Sequence, residues 1–469
     1  ALMLIADARN QMGIFSEALS TYEQIIEEFS ANYPHAAAEA QYHTAGIFTG
    51  YGSPEEVVPS YLKVLKNYPL QEDWNRLAVN RVLELEVGED AFQGLQQVIS
   101  RYRDYTRLTG FARLKTARRL VETGQTELAL QEYGILFDWQ GEDPLTQTIR
   151  ATAYLEAADL RVQLGDFLVG AELLETLAEE IPRYADEAAG KLYSLYMARG
   201  RKLRADDDQA LALASFDRAR RTLRMEIGSH REYIYQMSLV GRSGDCFREY
   251  TDLSDYEPNN PVFLYGKGLA LSYYRNDDPE RLQESTDIIQ NALALDYTMI
   301  PAYLTLSYNY QAMEEIARKG ETGESFAEQA WKATKEVLAD FWRSITFQGD
   351  PQEISGYENA ISVLTLAKSL NDETTDPEME ARILQNLANS FYALGEYGFG
   401  LAFDNYIEML EYMPEFSTLR MEGSIYERIG RSGMFAEIYD SGRDYLEQAR
   451  NVYREMGDDR AVFRAILLQ

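Results

Sequence analysis

One spacing of small, glycine and large residues recurs along this chain and limits what it can fold into. It is clearest in residues 151–184, where Ala158 is followed seven positions later by Gly165, and then by Gly170 and Pro182. Small residues on two consecutive helices let their backbones approach closely, and a glycine between them accepts the left-handed conformation of a tight turn. The stretch therefore predicts one helical hairpin.

Further copies of this spacing cover most of the chain, although an aspartate takes the place of the turn glycine in one of them. The predicted turn positions include Gly13, Gly52, Gly124, Gly165, Asp207, Gly241 and Gly395. Each hairpin alone leaves an apolar face in water, and stacking on the next hairpin buries that face. We expect an all-α fold, a right-handed superhelical solenoid of antiparallel helix pairs.

The copies also predict how the array is organised. Residues 1–345 are expected to hold about eight to nine helix pairs, the last of them resuming through 326–342 after a polar interruption. Residues 346–377 read as an irregular helical segment and an acidic connection that bends the array. Repeats return over 378–469, and no polar capping helix is predicted at their end.

With this pattern of small, glycine, small, aromatic and proline residues, the chain resembles the tetratricopeptide repeat family, whose ideal unit has 34 residues. The units here are longer, at about 39 to 42 residues from one turn to the next. The resemblance implies a protein without catalytic activity, a scaffold that binds partner proteins or peptides along the concave face of the solenoid.

The charge of the chain disfavours two classes of partner. The formal charge is −31, from 76 acidic and 45 basic residues, which disfavours nucleic acid and anionic lipid because both require a basic surface. No apolar run approaches the roughly 18 residues of a membrane span, so a soluble chain is expected. The sequence begins without Met and inside a helical pattern, which predicts a missing or processed N-terminal part. Cytoplasmic and exported or periplasmic locations both stay open.

Residues with reactive side chains give no catalytic pattern. The single cysteine, Cys246, occupies the small position of a second helix, where packing explains it. The three histidines, His35, His43 and His230, lack metal-ligand spacing, and there is no glycine-rich phosphate loop or serine elbow. We therefore predict no enzyme activity, no metal and no cofactor.

The resemblance implies which side chains line the concave face, namely those about one turn to either side of the midpoint of each first helix. Carried onto this sequence, the rule selects Leu114, Arg118, Leu155, Asp159, Met197, Arg201, Arg204, Arg382, Asn386 and Asn389. Arg118, Arg201 and Arg204 would receive an acidic peptide or a terminal carboxylate. The alternative is that these arginines pair with neighbouring acids. The asparagines would hydrogen-bond an extended peptide backbone.

Three functions remain open at this point. The first is the protein-binding scaffold just described. The second is a structural subunit of a large assembly or filament that is joined through the uncapped repeat ends. The third is the regulatory arm of a longer polypeptide whose catalytic domain lies outside this sequence.

Overall fold

The protein is described here by a computed structural model over residues 1–51, 54–87, 91–319, 355–371, 376–412 and 419–468. These residues form 23 α-helices and two single-turn 3₁₀ helices, and no β-strand occurs within these ranges. The chain divides into two compact units, Ala1–Leu195 and Tyr196–Gln469. The predicted all-α class is confirmed.

The first unit is a row of helix pairs in which each helix packs against the next one along the chain. Its helices are α1 (Leu2–Gln11), α2 (Phe15–Phe29), α3 (Pro34–Tyr51), α4 (Pro54–Asn67), α5 (Glu72–Glu86), α6 (Ala91–Arg101), α7 (Thr106–Glu122), α8 (Thr126–Phe137), α9 (Pro144–Gln163) and α10 (Phe167–Glu180). The division between the units falls inside the next helix, α11 (Ala185–Ala205).

The second unit continues with the same arrangement of pairs. Its described helices are α12 (Gln209–Thr222), α13 (Ile227–Leu239), α14 (Ser243–Tyr256), α15 (Pro261–Tyr274), α16 (Pro279–Leu295), α17 (Ile300–Lys319), α18 (Gly356–Leu370), α19 (Pro377–Ala393), α20 (Phe399–Tyr412), α21 (Leu419–Phe435), α22 (Tyr439–Glu455) and α23 (Asp459–Leu468). The solenoid of helix pairs is therefore confirmed. Its superhelical hand stays a prediction.

The predicted turn residues that the structure describes adopt the backbone conformation that their position requires, and Gly52 lies outside the described residues. Gly124 has a φ of 76° and Gly165 a φ of 90°, both in the left-handed region that costs glycine least. Asp207 takes the equivalent place between α11 and α12 with a φ of 64°. Aspartate reaches this region more readily than most side chains because its carboxylate can hydrogen-bond locally, which explains the substitution seen in the sequence.

Small residues permit the close approach of helices that the spacing predicts. A Cβ atom placed on Gly170 of α10 would lie 2.7 Å from a methyl carbon of Val162 on α9. A Cβ atom on Gly200 of α11 would lie 2.6 Å from the ring of Phe216 on α12. Both distances are too short for any larger side chain, so these glycines set the spacing between the two helices of a pair.

The pair that begins with α17 is described only in part. The sequence places its second helix at 326–342, which lies outside the described residues. Within the described part, the helix that packs along α17 is α18, whose first turn is closed by a capping box between Ser355 and Glu358. Gly356 there approaches the carbonyl oxygen of Tyr310, and its backbone N–H donates to Glu314 at 3.1 Å.

Part of the segment expected to bend the array also lies outside the described residues, at 346–354 and 372–375. Its described portion is the regular helix α18, which packs against both α17 and α19. The division of the chain at residues 345 and 377 stays a prediction.

Candidate functional site

The predicted site residues of the first unit are used in packing and ion pairs. Leu114 is only 2% exposed and belongs to the main apolar core of the unit, and Leu155 packs against a smaller core cluster. The Nε and Nη2 atoms of Arg118 both donate to Glu156, at 2.9 and 2.6 Å, which joins α7 to α9. Asp159 accepts from the ammonium group of Lys191. For Arg118, the alternative stated above therefore applies: this arginine pairs with a neighbouring acid.

In the second unit, Arg204 connects two consecutive first helices. Its Nη1 atom donates to Oε2 of Glu232 on α13 at 2.7 Å. The guanidinium carbon also lies 5.2 Å from the ring centres of both Phe216 and Tyr235, which adds a cation–π attraction. Met197, predicted from the same helix, is buried and contributes packing instead of binding surface.

Arg201, one turn before Arg204, has no ion pair or hydrogen bond within the part of the chain that the structure describes, and it is exposed. Arg231 on α13 approaches Glu232 only loosely, with Nη2 at 3.6 Å from Oε1. Its side chain is 17% exposed. The donors of Arg201 and Arg231 are thus largely unused by the described residues.

Sequence reasoning missed Arg231 and the neighbouring Tyr235. Arg231 lies three residues before Ile234, and Tyr235 lies one residue after it. Met197 and Arg201 lie at the same two offsets from Gly200. The signal was obscured because the midpoint of α13 is an isoleucine instead of a small residue. Counting back seven residues from the turn at Gly241 would have found it.

Tyrosines from three consecutive first helices lie in a row beside these arginines. The ring centres of Tyr235 on α13 and Tyr273 on α15 are 6.0 Å apart, and those of Tyr273 and Tyr308 on α17 are 6.5 Å apart. Tyr235 and Tyr308 are exposed and Tyr273 is half-buried between them. This row provides rigid apolar area with hydroxyl groups along its edge.

A fourth arginine, Arg382 on α19, joins the same group of charges. Its Nη2 atom donates to Glu378 at 2.6 Å. Burial by itself raises the pKa of Glu378, but Arg382, Arg201 and Arg231 outweigh this effect and the pKa lies below the ordinary glutamate value. Three guanidinium groups from three helices therefore act on one carboxylate.

Together these residues form a surface that we call the arginine–tyrosine face. It consists of Arg201, Arg204, Arg231, Arg382, Tyr235, Tyr273 and Tyr308, with Glu232 and Glu378 as the paired carboxylates.

A buried hydroxyl group belongs to the same region. Tyr265 on α15 is fully buried, and its hydroxyl lies near Thr305 but makes no hydrogen bond of ordinary geometry within the described residues. Burial raises the pKa of Tyr265, while Arg231 and Arg382 act in the opposite direction. Such an unsatisfied buried group is costly in a folded protein.

The two predicted asparagines are engaged within the protein. Asn386 donates from Nδ2 to the carbonyl oxygen of Arg382 at 2.8 Å. The Oδ1 atom of Asn389 accepts from the Tyr406 hydroxyl at 2.7 Å and also from Arg428. Asn386 is thus used within α19, whereas Asn389 connects α19 to α20 and α21.

Other chemistry is sparse. Cys246 is buried in α14, and desolvation raises the pKa of its thiol to about 12, which agrees with a packing role. Among the described residues, no group of three or more His, Cys, Asp or Glu side chains is placed to hold a metal ion. None of the described helices is both long enough and apolar enough to cross a membrane.

No protein-family model matches this chain, and no curated protein matches it. Solved structures that are similar include a tetratricopeptide repeat protein from Parabacteroides merdae, with 12% identity over 67% of this chain and 98% of that chain and a TM-score of 0.34. Yeast Tom70 has 14% identity over 100% of this chain and 94% of its own, with a TM-score of 0.34. The Cut9–Hcn1 hetero-tetramer of APC/C has 12% identity, 94% coverage of both chains and a TM-score of 0.26.

The tetratricopeptide-like organisation of this chain rests on its own helix pairs, left-handed turns and small-residue contacts.

Proposed function

We propose that this protein is a scaffold without catalytic activity that binds acidic segments of partner proteins on the arginine–tyrosine face of its second unit. The observation that supports this most directly is Arg201, an exposed arginine with no partner among the described residues, next to Arg231, which is only loosely paired.

The charge of the whole chain makes this surface unusual. With a formal charge of −31, most of the molecular surface repels an acidic segment. Four arginines on one face, paired with two carboxylates, create a local positive site in that acidic background. An acidic segment would therefore be directed to this face and away from the rest of the molecule.

The tyrosine row supplies contact area beside the charges. Its ring centres are 6.0 and 6.5 Å apart, close to the roughly 6.6 Å that separates alternate residues of an extended peptide. Alternate side chains of an extended segment could thus each meet one ring. Tyrosine and arginine are also the residues that most often dominate binding energy at protein interfaces.

Selection from a random peptide library displayed on phage tests the proposal. We expect the purified protein to enrich peptides rich in Asp and Glu, and we expect Arg201→Glu to lose that enrichment because it reverses the charge of the unpartnered side chain. Arg281→Glu is the matched control, since Arg281 is an exposed arginine of the same unit that pairs with Glu284 at the start of α16. Selection without acidic bias, or equal selection by both variants, would contradict the proposal.

A second candidate is an assembly formed through the helices at either end of the described chain. Large apolar side chains are exposed there, namely Leu4 on α1, Met12 directly after α1, and Phe463 and Leu467 on α23. Exposed apolar surface of this kind favours association. Light scattering at increasing protein concentration tests it: a rise in mass that Leu467→Glu and Leu4→Glu abolish supports the assembly, and a constant monomer mass excludes it.

A further inference from the structure

The arginine–tyrosine face has more positive than negative charge. Arg204 and Arg382 each form a short ion pair, with Glu232 and Glu378 respectively. Arg201 and Arg231 remain, the first without a partner in the described residues and the second sharing Glu232 at 3.6 Å. Two guanidinium charges are therefore left without a carboxylate of their own.

Unused donors accompany this surplus charge. A guanidinium group has five N–H donors in a planar fork, and Arg201 makes no hydrogen bond within the described ranges. The face thus offers positive charge and donors in excess of what the described residues accept.

We propose that the arginine–tyrosine face binds a phosphorylated side chain of a partner protein, with the phosphoryl group held between Arg201 and Arg231. This proposal rests on the proposed function, because it names the acidic group that the face accepts. The row formed by Tyr235, Tyr273 and Tyr308 contacts the peptide that bears it.

Charge and donor counts favour a phosphoryl group over a carboxylate. A carboxylate has one negative charge and two acceptor oxygens, whereas a phosphorylated side chain has a charge of about −1.5 to −2 at neutral pH and three strong acceptor oxygens. The surplus charge of Arg201 and Arg231 therefore matches that of one phosphoryl group. Bidentate arginine–phosphate hydrogen bonds are also among the stronger polar contacts in proteins.

Calorimetric titration of the full chain with defined probes tests this inference. The probes are a short alanine-rich peptide with one central phosphoserine, the same peptide with aspartate or serine at that position, and inorganic phosphate. We expect the phosphoserine peptide to bind at least about tenfold more tightly than any other probe. Arg201→Gln and Arg231→Gln are each expected to weaken its binding about tenfold.

Two variants serve as controls. Arg281→Gln, on the exposed pair with Glu284, should leave binding unchanged. Arg231→Lys keeps the positive charge but loses the fork, so it should retain the helical circular dichroism of the parent protein and still weaken binding. A loss of binding that accompanies a normal helical spectrum then reports on the site and not on folding.

The outcomes separate this inference from the proposed function. Equal binding of the phosphoserine and aspartate peptides overturns the phosphoryl preference, while the selection of acidic peptides can still succeed. Equal binding of inorganic phosphate and the phosphoserine peptide overturns recognition of a protein-borne group. Equal weakening by Arg281→Gln overturns the assignment to Arg201 and Arg231.

Discussion

Arg204 on α11 donates a 2.7 Å hydrogen bond to Glu232 on α13, and so ties the first helices of two consecutive pairs together. The Glu232 side chain is only 6% exposed. Burial by itself raises the pKa of Glu232, but Arg204, together with Arg231 and Arg201, outweighs this effect, and the pKa lies below the ordinary value. The arginines therefore keep a buried carboxylate charged.

Removing Arg204 should destabilise the second unit strongly. Arg204→Ala removes the hydrogen-bonded partner of the buried Glu232 carboxylate and leaves the loose contact to Arg231, so we expect a loss of about 3 kcal/mol in the free energy of unfolding. Arg281→Ala breaks an exposed pair and should cost less than about 1 kcal/mol. Urea unfolding followed by helical circular dichroism measures the free energy of unfolding of both variants. Similar losses in the two would contradict a larger contribution from the buried pair.

The turn at Gly165 should depend on backbone conformation alone. With a φ of 90° and no atom within 4 Å of a Cβ placed there, Gly165→Ala introduces strain without a clash and should cost about 1 kcal/mol. Gly165→Asn should recover part of this loss, because asparagine reaches the left-handed region more readily.

Gly134 provides the matched control for this turn. It lies inside α8, again with no atom within 4 Å, so Gly134→Ala should stabilise the first unit by up to about 1 kcal/mol. Thermal unfolding of the parent protein and of the three variants gives the order of their stabilities. Equal effects of alanine at the two positions would contradict the conformational argument.

The stability of the second unit should depend on pH through His230. Its Nδ1 atom lies 2.6 Å from the Tyr250 hydroxyl oxygen and its Nε2 atom 2.9 Å from the carbonyl oxygen of Arg224. Burial lowers the pKa of His230 to about 4, against about 6.5 in the unfolded chain. Between these values the unfolded state binds more protons, so stability rises with pH and is lost as the pH falls from about 6.5 towards 4.

Comparison with His230→Gln isolates this contribution from that of the acidic residues. The wild-type free energy of unfolding should rise with pH more steeply than that of the variant, by up to about 1.4 kcal/mol per pH unit in that window. Parallel curves for the two proteins would mean that His230 does not titrate as the structure indicates.

Cys246 should be unreactive in the folded protein. The thiol is buried and its pKa of about 12 leaves almost no thiolate at neutral pH. A chromogenic disulfide reagent should therefore label the chain within minutes in denaturant and only at the rate of unfolding without it. Rapid labelling of the native protein would contradict the packing role.

Local pattern was enough to predict the hairpins, because each depends on residues close together in the sequence. Ala158, Gly165 and Gly170 specify a midpoint, a turn and a close approach within a single pair. The same logic identified Asp207 as a turn residue and Cys246 as a packed one, and the structure confirms both placements.

The candidate site was predicted less completely. The offset rule selected Arg201, Arg204 and Arg382, which the structure brings to one face, but it also selected Leu114 and Met197, which are buried. It missed Arg231 because the midpoint of α13 is Ile234, and the rule looks for a small residue at that position. Whether an arginine is free or paired depends on residues far away in sequence, as with Arg118 and Glu156, which are 38 positions apart.

The sequence by itself therefore determined the repeating unit: helix pairs, left-handed turns and small-residue seams, all set by steric requirements over a few neighbouring positions. Only the tertiary structure decided which charges are neutralised and which remain available. That outcome depends on distances between side chains of different helices, such as Arg204 to Glu232 in one unit and Arg118 to Glu156 in the other. Electrostatic pairing between helices follows proximity in space, and no spacing within one repeat encodes it.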